Sequence, residues 1–204
     1  IYNNLTANEL FLDTAIKRSS LVSHAKSLGY VPRSITAPIA TVDVTYTGVV
    51  PNRIDAGQVF TTKIGTKTYK FTNLDAAIPD PNNTPHLQNL EIREGVLRTI
   101  SFVTPNSNPN QRFRIRDDAL DTKTIKVTVT KSATDNDGLS DIWTLGTNAV
   151  VIDSTTNAYF VEEDYDGSYS ISFGDGVIGK KLSAGNLVTV TYLQTKGAEA
   201  NGAG

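Results

Sequence analysis

Two runs of charged residues carry the spacing that chemistry would need. Arg112, Arg114 and Arg116 alternate with Phe113 and Ile115. An extended chain therefore sends three guanidiniums to one face and two apolar side chains to the other. Such a ladder is a candidate interface for phosphate or for an acidic protein surface. No aromatic residue interleaves on the Arg face, which argues against nucleic acid and leaves a solvated face or an acidic partner. Glu162, Asp164 and Asp166 alternate ahead of Gly167 in the same way. Carboxylates so placed open an EF-hand loop, but the twelfth position, which must supply a bidentate Glu, is Phe173. A glycosidase pair needs two carboxylates across a cleft with split pKa values, and nothing in the run indicates one. A solvated acidic loop is the plain reading.

Gly174-Asp175-Gly176-Val177-Ile178-Gly179 matches G-x-G-x-x-G. In a dinucleotide site that turn must open a helix, whose N-terminus holds the pyrophosphate. Lys180 to Asn186, with Ser183, Gly185 and Asn186, leads into a strand instead. Phe173, Gly174, Asp175, Gly176 and Gly179 therefore read as a structural turn motif, with Asp175-Gly176 a type I′ hairpin turn. Tyr169, Ile171 and Phe173 then point to the core, while Ser170 and Ser172 face out. The chain has no Cys, and its two His residues, His24 and His86, stand far apart, on a helix and in a Pro/Asn loop. No G-x-S-x-G nucleophile elbow occurs. We expect no catalytic residue, no metal, no cofactor and no small-molecule substrate.

The elements that would position these residues follow from period and composition. The chain has 204 residues, 39% of them hydrophobic, and a net charge of -2. That suffices for a buried core and gives no global pull toward nucleic acid or membrane. No apolar run approaches a membrane span. There is no Met, even at the start, so the chain reads as a piece of a longer protein.

Thr6 and Glu9 fit a capping box. Leu10, Phe11, Thr14, Ala15, Arg18, Leu21, Val22, Ala25 and Leu28 recur at helical spacing, with Arg18 a polar break, and Gly29 and Pro32 end the run. The spacing predicts a helix over 7–28 whose stripe packs within the chain. Beyond Pro38 the period becomes two, from Ala40 to Tyr46, and Val59–Thr62 with Thr68–Phe71 suggests a hairpin at Gly65. Residues 75–89 read as a Pro-rich loop. Strand signals follow at 92–103 (interrupted by Gly95), 112–116, 124–130, 159–161, 169–173 and 187–193, with a turn at 135–138. The fold class is α+β and β-dominant, one N-terminal helix followed by antiparallel β structure. Its divisions are a helical segment at 1–34, a β region at 35–196 with two subdomains meeting near 75–89, and a Gly/Ala-rich linker at 197–204. The sequons at Asn4 and Asn82 are read as chance.

Phe173–Gly179, then Ala184-Gly185-Asn186, then Val188–Tyr192, resembles the signature of the baseplate J-like family of contractile-tail phages, which includes T-even-type wedge subunits. Gly197-Ala198-Glu199-Ala200-Asn201-Gly202 resembles the stretch that follows in those subunits. Phe11–Ala15 with Leu28–Pro32 resembles the family's helix and its Gly-Tyr-Pro exit. The resemblance implies a non-enzymatic virion protein, assembled in the bacterial host cytoplasm. It would pair with itself as a homodimer and with other baseplate wedge proteins around the central hub, and would rearrange on contraction. No catalytic residue is carried over. A tail-associated receptor- or glycan-binding β module is the alternative.

Overall fold

In the computed structural model, residues 8–11, 13–27, 34–47, 49, 51–79, 86–106, 111–132, 134, 139–147 and 151–200 are described. Among the described residues Asn8 and Glu9 are helical, and one longer helix, α1 (Arg18–Ser27), precedes eleven strands. These are β1 (Ile39–Thr45), β2 (Val59–Ile64), β3 (Lys67–Thr72), β4 (His86–Glu94), β5 (Val96–Val103), β6 (Arg112–Ile115), β7 (Leu120–Thr130), β8 (Asp141–Leu145), β9 (Ala158–Glu163), β10 (Tyr169–Phe173) and β11 (Leu187–Gln194). A four-stranded sheet runs β1-β4-β3-β2, and a seven-stranded sheet runs β5-β11-β7-β8-β9-β10-β6. The chain is β-dominant, as its period-two patterning predicts.

The chain divides into two units. The first comprises Ile1–Arg33, Ile100–Asp118 and Lys126–Val190; the second comprises Ser34–Thr99, Ala119–Ile125 and Thr191–Gly204. Segment 75–89 has its described residues, 75–79 and 86–89, in the second unit. Its last four residues begin β4, because His86, Leu87 and Leu90 pair with Thr45, Val44 and Val42. His86 is therefore a strand residue, with Nδ1 3.1 Å from the Thr45 hydroxyl.

In the second unit the expected hairpin is present. β2 and β3 pair antiparallel from Val59↔Thr72 to Ile64↔Lys67 around Gly65-Thr66. Ile54, Phe71, Leu87, Leu90 and Ile92 form the buried cluster, with Ala40, Val42 and Val44 of β1 packed against it. The alternation read at 40–46 is thus the inward face of β1. Between Val42 and Val44 the register slips. Asn89 takes the left-handed conformation there, and its N–H donates to the Asp43 carboxylate at 2.9 Å. Gly197–Ala200, expected as linker, is a 3-10 turn in which Gly197 is buried.

In the first unit the helix departs from its expectation. Residues 10, 11 and 13–17 are not helical, with Thr14 and Ala15 N–H groups donating to the Phe11 carbonyl. Leu10, Phe11 and Ile16 are exposed, so the first half of the stripe does not pack within the chain. Glu9 does serve a helix start, but that of α1: its carboxylate accepts the N–H groups of Ile16 and Lys17 at 3.1 and 3.2 Å. Negative charge at a helix N-terminus is favourable because the free N–H dipoles point at it. The proposed caps at Thr6 and Gly29, the 135–138 turn and both sequons lie outside the described residues.

The strand β8 has no counterpart in the sequence reading. It pairs antiparallel with β7 and parallel with β9, so the sheet is not purely antiparallel. The reason is physical: Trp143 alone is buried in it, while Ile142 and Leu145 are exposed, which blurs the alternation.

Candidate functional site

Register on β10 brings the two charged runs together. Ser170 stands opposite Arg114 on one side and Glu162 on the other, and Ser172 stands opposite Arg112 and Phe160. Arg112 and Arg114 therefore share a face with the carboxylates that follow β9. Arg112 pairs with Asp164 and with Glu162, the latter at 3.1 Å. Arg114 pairs with Asp166 and reaches the Ser168 hydroxyl at 2.7 Å. Ser170, expected to face solvent, is buried beneath this network and donates to Asp164 at 2.6 Å. Burial pushes the Asp164 pKa up, but the Ser170 hydroxyl and the charges of Arg112 and Arg114 outweigh it and hold the carboxyl below its ordinary value. Arg116 lies just past β6 and is exposed. Arg112 and Arg114 are thus met by carboxylates of β9 and of the turn that follows it. Neither run is an isolated field.

The opposite face of β10 is core. Tyr169, Ile171 and Phe173 are buried, as are Phe113 and Ile115 of β6. Phe173 meets Trp143 edge-on at 5.2 Å and Phe113 at 5.9 Å. Glu163 also points to this face and is 2% exposed. Its two oxygens receive Arg18 Nε and Nη2, each at 2.8 Å. Arg18, a polar break in the helical stripe, is the bidentate partner of a buried carboxylate. We expect Arg18→Ala to cost about 1–3 kcal/mol, the low end for stranding a buried charge because Arg18 itself is 61% exposed. Urea melts of Arg18→Ala, Glu163→Gln and the double variant check this. Purely additive effects would show that the pair is not coupled.

The Phe173–Gly179 motif is a loop rather than a hairpin. No helix and no strand follows within 180–186, which excludes the dinucleotide geometry there. β10 pairs with β9 and β6, not with β11. A type I′ turn needs positive φ at both central residues; Gly176 has φ 94°, and Asp175 is not among the positive-φ residues. Asp175 instead accepts the N–H groups of Ile178 and Val177 at 3.0 and 2.8 Å, and these two bonds lower its pKa, that of Ile178 most. The loop is pinned from below, since Gly179 N–H donates to the Asp153 carbonyl and Lys180 N–H to that of Thr156.

Asp153 was not singled out by sequence, although Asp-Ser-Thr-Thr is a local turn signal. The Thr156 and Thr155 hydroxyls and the Thr155 N–H donate to Oδ1 and lower its pKa from 3.8 to about 2. A depressed folded-state pKa adds stability that is complete above the unfolded value and disappears as pH falls through the folded one. Thermal melts between pH 4 and 2 should therefore fall less steeply for Asp153→Asn than for the unaltered chain. Parallel curves would refute the assignment. Gln111 was also missed. It is buried at φ 42°, with its amide donating to the Leu182 carbonyl at 2.7 Å and accepting the Leu182 N–H at 2.8 Å. No sequence signal marks such a residue.

No family model matches the chain. It is, however, similar to baseplate wedge protein gp6 of Enterobacteria phage T4, with 27% identity over 225 residues, covering 99% of this chain and 32% of that protein. A baseplate-wedge-like relationship follows. The chain spans about a third of the length of this relative. The narrower resemblance to the baseplate J-like family is not reached by these matches. The relative's name is that of a virion baseplate component, and a structural rather than catalytic role is the reading consistent with it.

Proposed function

We propose that the chain is a structural part of a contractile-tail baseplate wedge. In this reading it assembles with copies of itself and with other wedge proteins into the ring around the central hub. It is made and assembled in the bacterial host cytoplasm, ends in the virion, and transmits the rearrangement that accompanies contraction. The observation that supports this reading is the similarity to a wedge protein along 99% of the chain. The charged face agrees with a scaffold. Arg112 and Arg114 are engaged by Glu162, Asp164 and Asp166, so they lock strands to one another rather than present a free basic surface. Among the described residues β6, at the end of the seven-stranded order, has a neighbour on one side only, and strand edges are surfaces on which subunits add. The interface role of Arg112, Arg114 and Arg116 is in this reading the positioning of that edge.

The test is co-assembly. The full parent protein, mixed with its wedge partners and followed by analytical ultracentrifugation and cryo-EM, should join a large particle and occupy an internal position. A parent protein that stays monomeric among its partners, or density at the receptor-contacting periphery, would overturn the reading.

A further inference from the structure

Glu94, at the end of β4, is a buried carboxylate that forms no ion pair among the described residues. It is 3% exposed, and both of its protein donors go to one oxygen: the Thr195 hydroxyl at 2.6 Å and the Lys196 N–H at 2.8 Å, each to Oε2. Both donors are neutral groups. Among the described residues Oε1 receives no donor, and neither Lys70 nor Lys196 forms an ion pair with the carboxylate. Oε1 is not among the fully buried polar atoms, and a carboxylate oxygen is satisfied best by a charge-assisted N–H donor. The same residue lines a cleft of about 440 Å³, with Thr68 and Lys70 of β3, Gly95 beside it and Gln194 to Lys196 at the end of β11. Gly95 closes on the Gln194 carbonyl so tightly that a Cβ there would lie 2.4 Å from it, which fixes one wall.

We propose that this cleft is a socket for a basic side chain, guanidinium or ammonium, of a partner protein, with Glu94 Oε1 as its acceptor. The exposed Lys70 and Lys196 at its lining favour a basic residue with an acidic neighbour, whose carboxylate they would meet. Only the source of the cation rests on the assembly reading; the acceptor does not. The geometry distinguishes this from the arginine ladder of β6, where Glu162, Asp164 and Asp166 each already have an arginine.

Backbone amide NMR of the chain tests the socket, with N-acetyl-arginine methylamide as probe, free arginine as a second arm and N-acetyl-aspartate methylamide as the control. Saturable shifts at Gly95, Thr195 and Lys196 with the capped arginine support the proposal. Glu94→Gln keeps both donors to Oε2 and should weaken that binding about tenfold or more, the worth of one hydrogen bond to a charged group. A thermal melt first establishes that Glu94→Gln is folded; if it is not, Lys70→Glu and Lys196→Glu replace it and should tighten binding of the capped probe. Free arginine binding far better than the capped form would show a small-molecule site and overturn the protein-borne source. No saturable shift with either arginine probe, or equal affinity in Glu94→Gln, would overturn the socket. None of these outcomes depends on whether the chain enters a baseplate.

Discussion

Gly95→Ala is expected to cost about 3 kcal/mol or more, because overpacking and backbone strain fall on the same residue. A Cβ at this position would lie 2.4 Å from the Gln194 carbonyl oxygen and 2.9 Å from Leu193 Cγ. Leu193 is fully buried and has nowhere to move. The φ of 129° adds a conformation that residues with a Cβ rarely adopt. Neither backbone group of Gly95 is idle: its N–H donates to the Lys70 carbonyl at 2.8 Å, and its carbonyl accepts the Thr72 hydroxyl at 2.7 Å. A shift that relieves the clash therefore breaks hydrogen bonds that cannot be remade with water. Urea unfolding of Gly95→Ala measures the cost. A loss below about 1 kcal/mol, typical of an ordinary surface substitution, would mean that Gly95 can draw back from β11 without loss of the fold.

The second large effect reverses an expectation taken from the motif. Asp175-Gly176 looks like the critical pair, and Gly176 the residue whose freedom matters. At Gly176 an added Cβ would meet nothing nearer than Lys181 Cβ at 3.8 Å, so only its φ of 94° is strained. Gly176→Ala should cost about 1–2 kcal/mol, the range for a left-handed residue with a Cβ. Gly174 has no positive φ, yet a Cβ there would lie 2.1 Å from the Gly179 carbonyl oxygen and 2.2 Å from its carbon. That is backbone against backbone, and Gly179 is itself tied to Asp153. Gly174→Ala should therefore cost roughly 3 kcal/mol or more, the upper end for overpacking. Thermal melts of the two variants decide the order. If Gly176→Ala melts lower, the loop is held by turn conformation and not by the crossing of Gly174 and Gly179.

What the sequence discloses and what it hides divide along physical lines. Period-two runs such as Ala40–Tyr46 and Arg112–Ile115 are legible because each has one wet and one dry face, and the structure buries Phe113 and Ile115 as their spacing requires. The break at Gly95 is legible too, since a lone Gly inside a strand run signals a close backbone approach. The predicted helix is too long because a 3.6-residue period continues through residues 10–17, while at 13–17 the backbone is held by the Phe11 carbonyl and the Glu9 carboxylate instead. No pattern rule sees a side chain capping eight residues ahead. The candidate site was half legible. Each charged run could be seen, but their mutual pairing depends on the register of β10 against β6 and β9, a long-range fact. Glu163 and Arg18 were hidden for the same reason, one reading as part of an acidic loop and the other as a flaw in a stripe.

The position of β11 bears on how the chain reaches its fold. It is the last strand, yet in the sheet order it stands between β5 and β7. It brings together side chains as distant in sequence as Ser101 of β5 and its own Thr189. Neither neighbour can finish its hydrogen-bonded ladder before Leu187–Gln194 has arrived, so closure waits for the longest loops to be formed. Topologies dominated by such distant pairings fold on the order of milliseconds to seconds rather than microseconds. During synthesis, β5 and β7 must therefore wait with open edges while the intervening residues leave the ribosome, and a product truncated before Leu187 would keep those edges open for good.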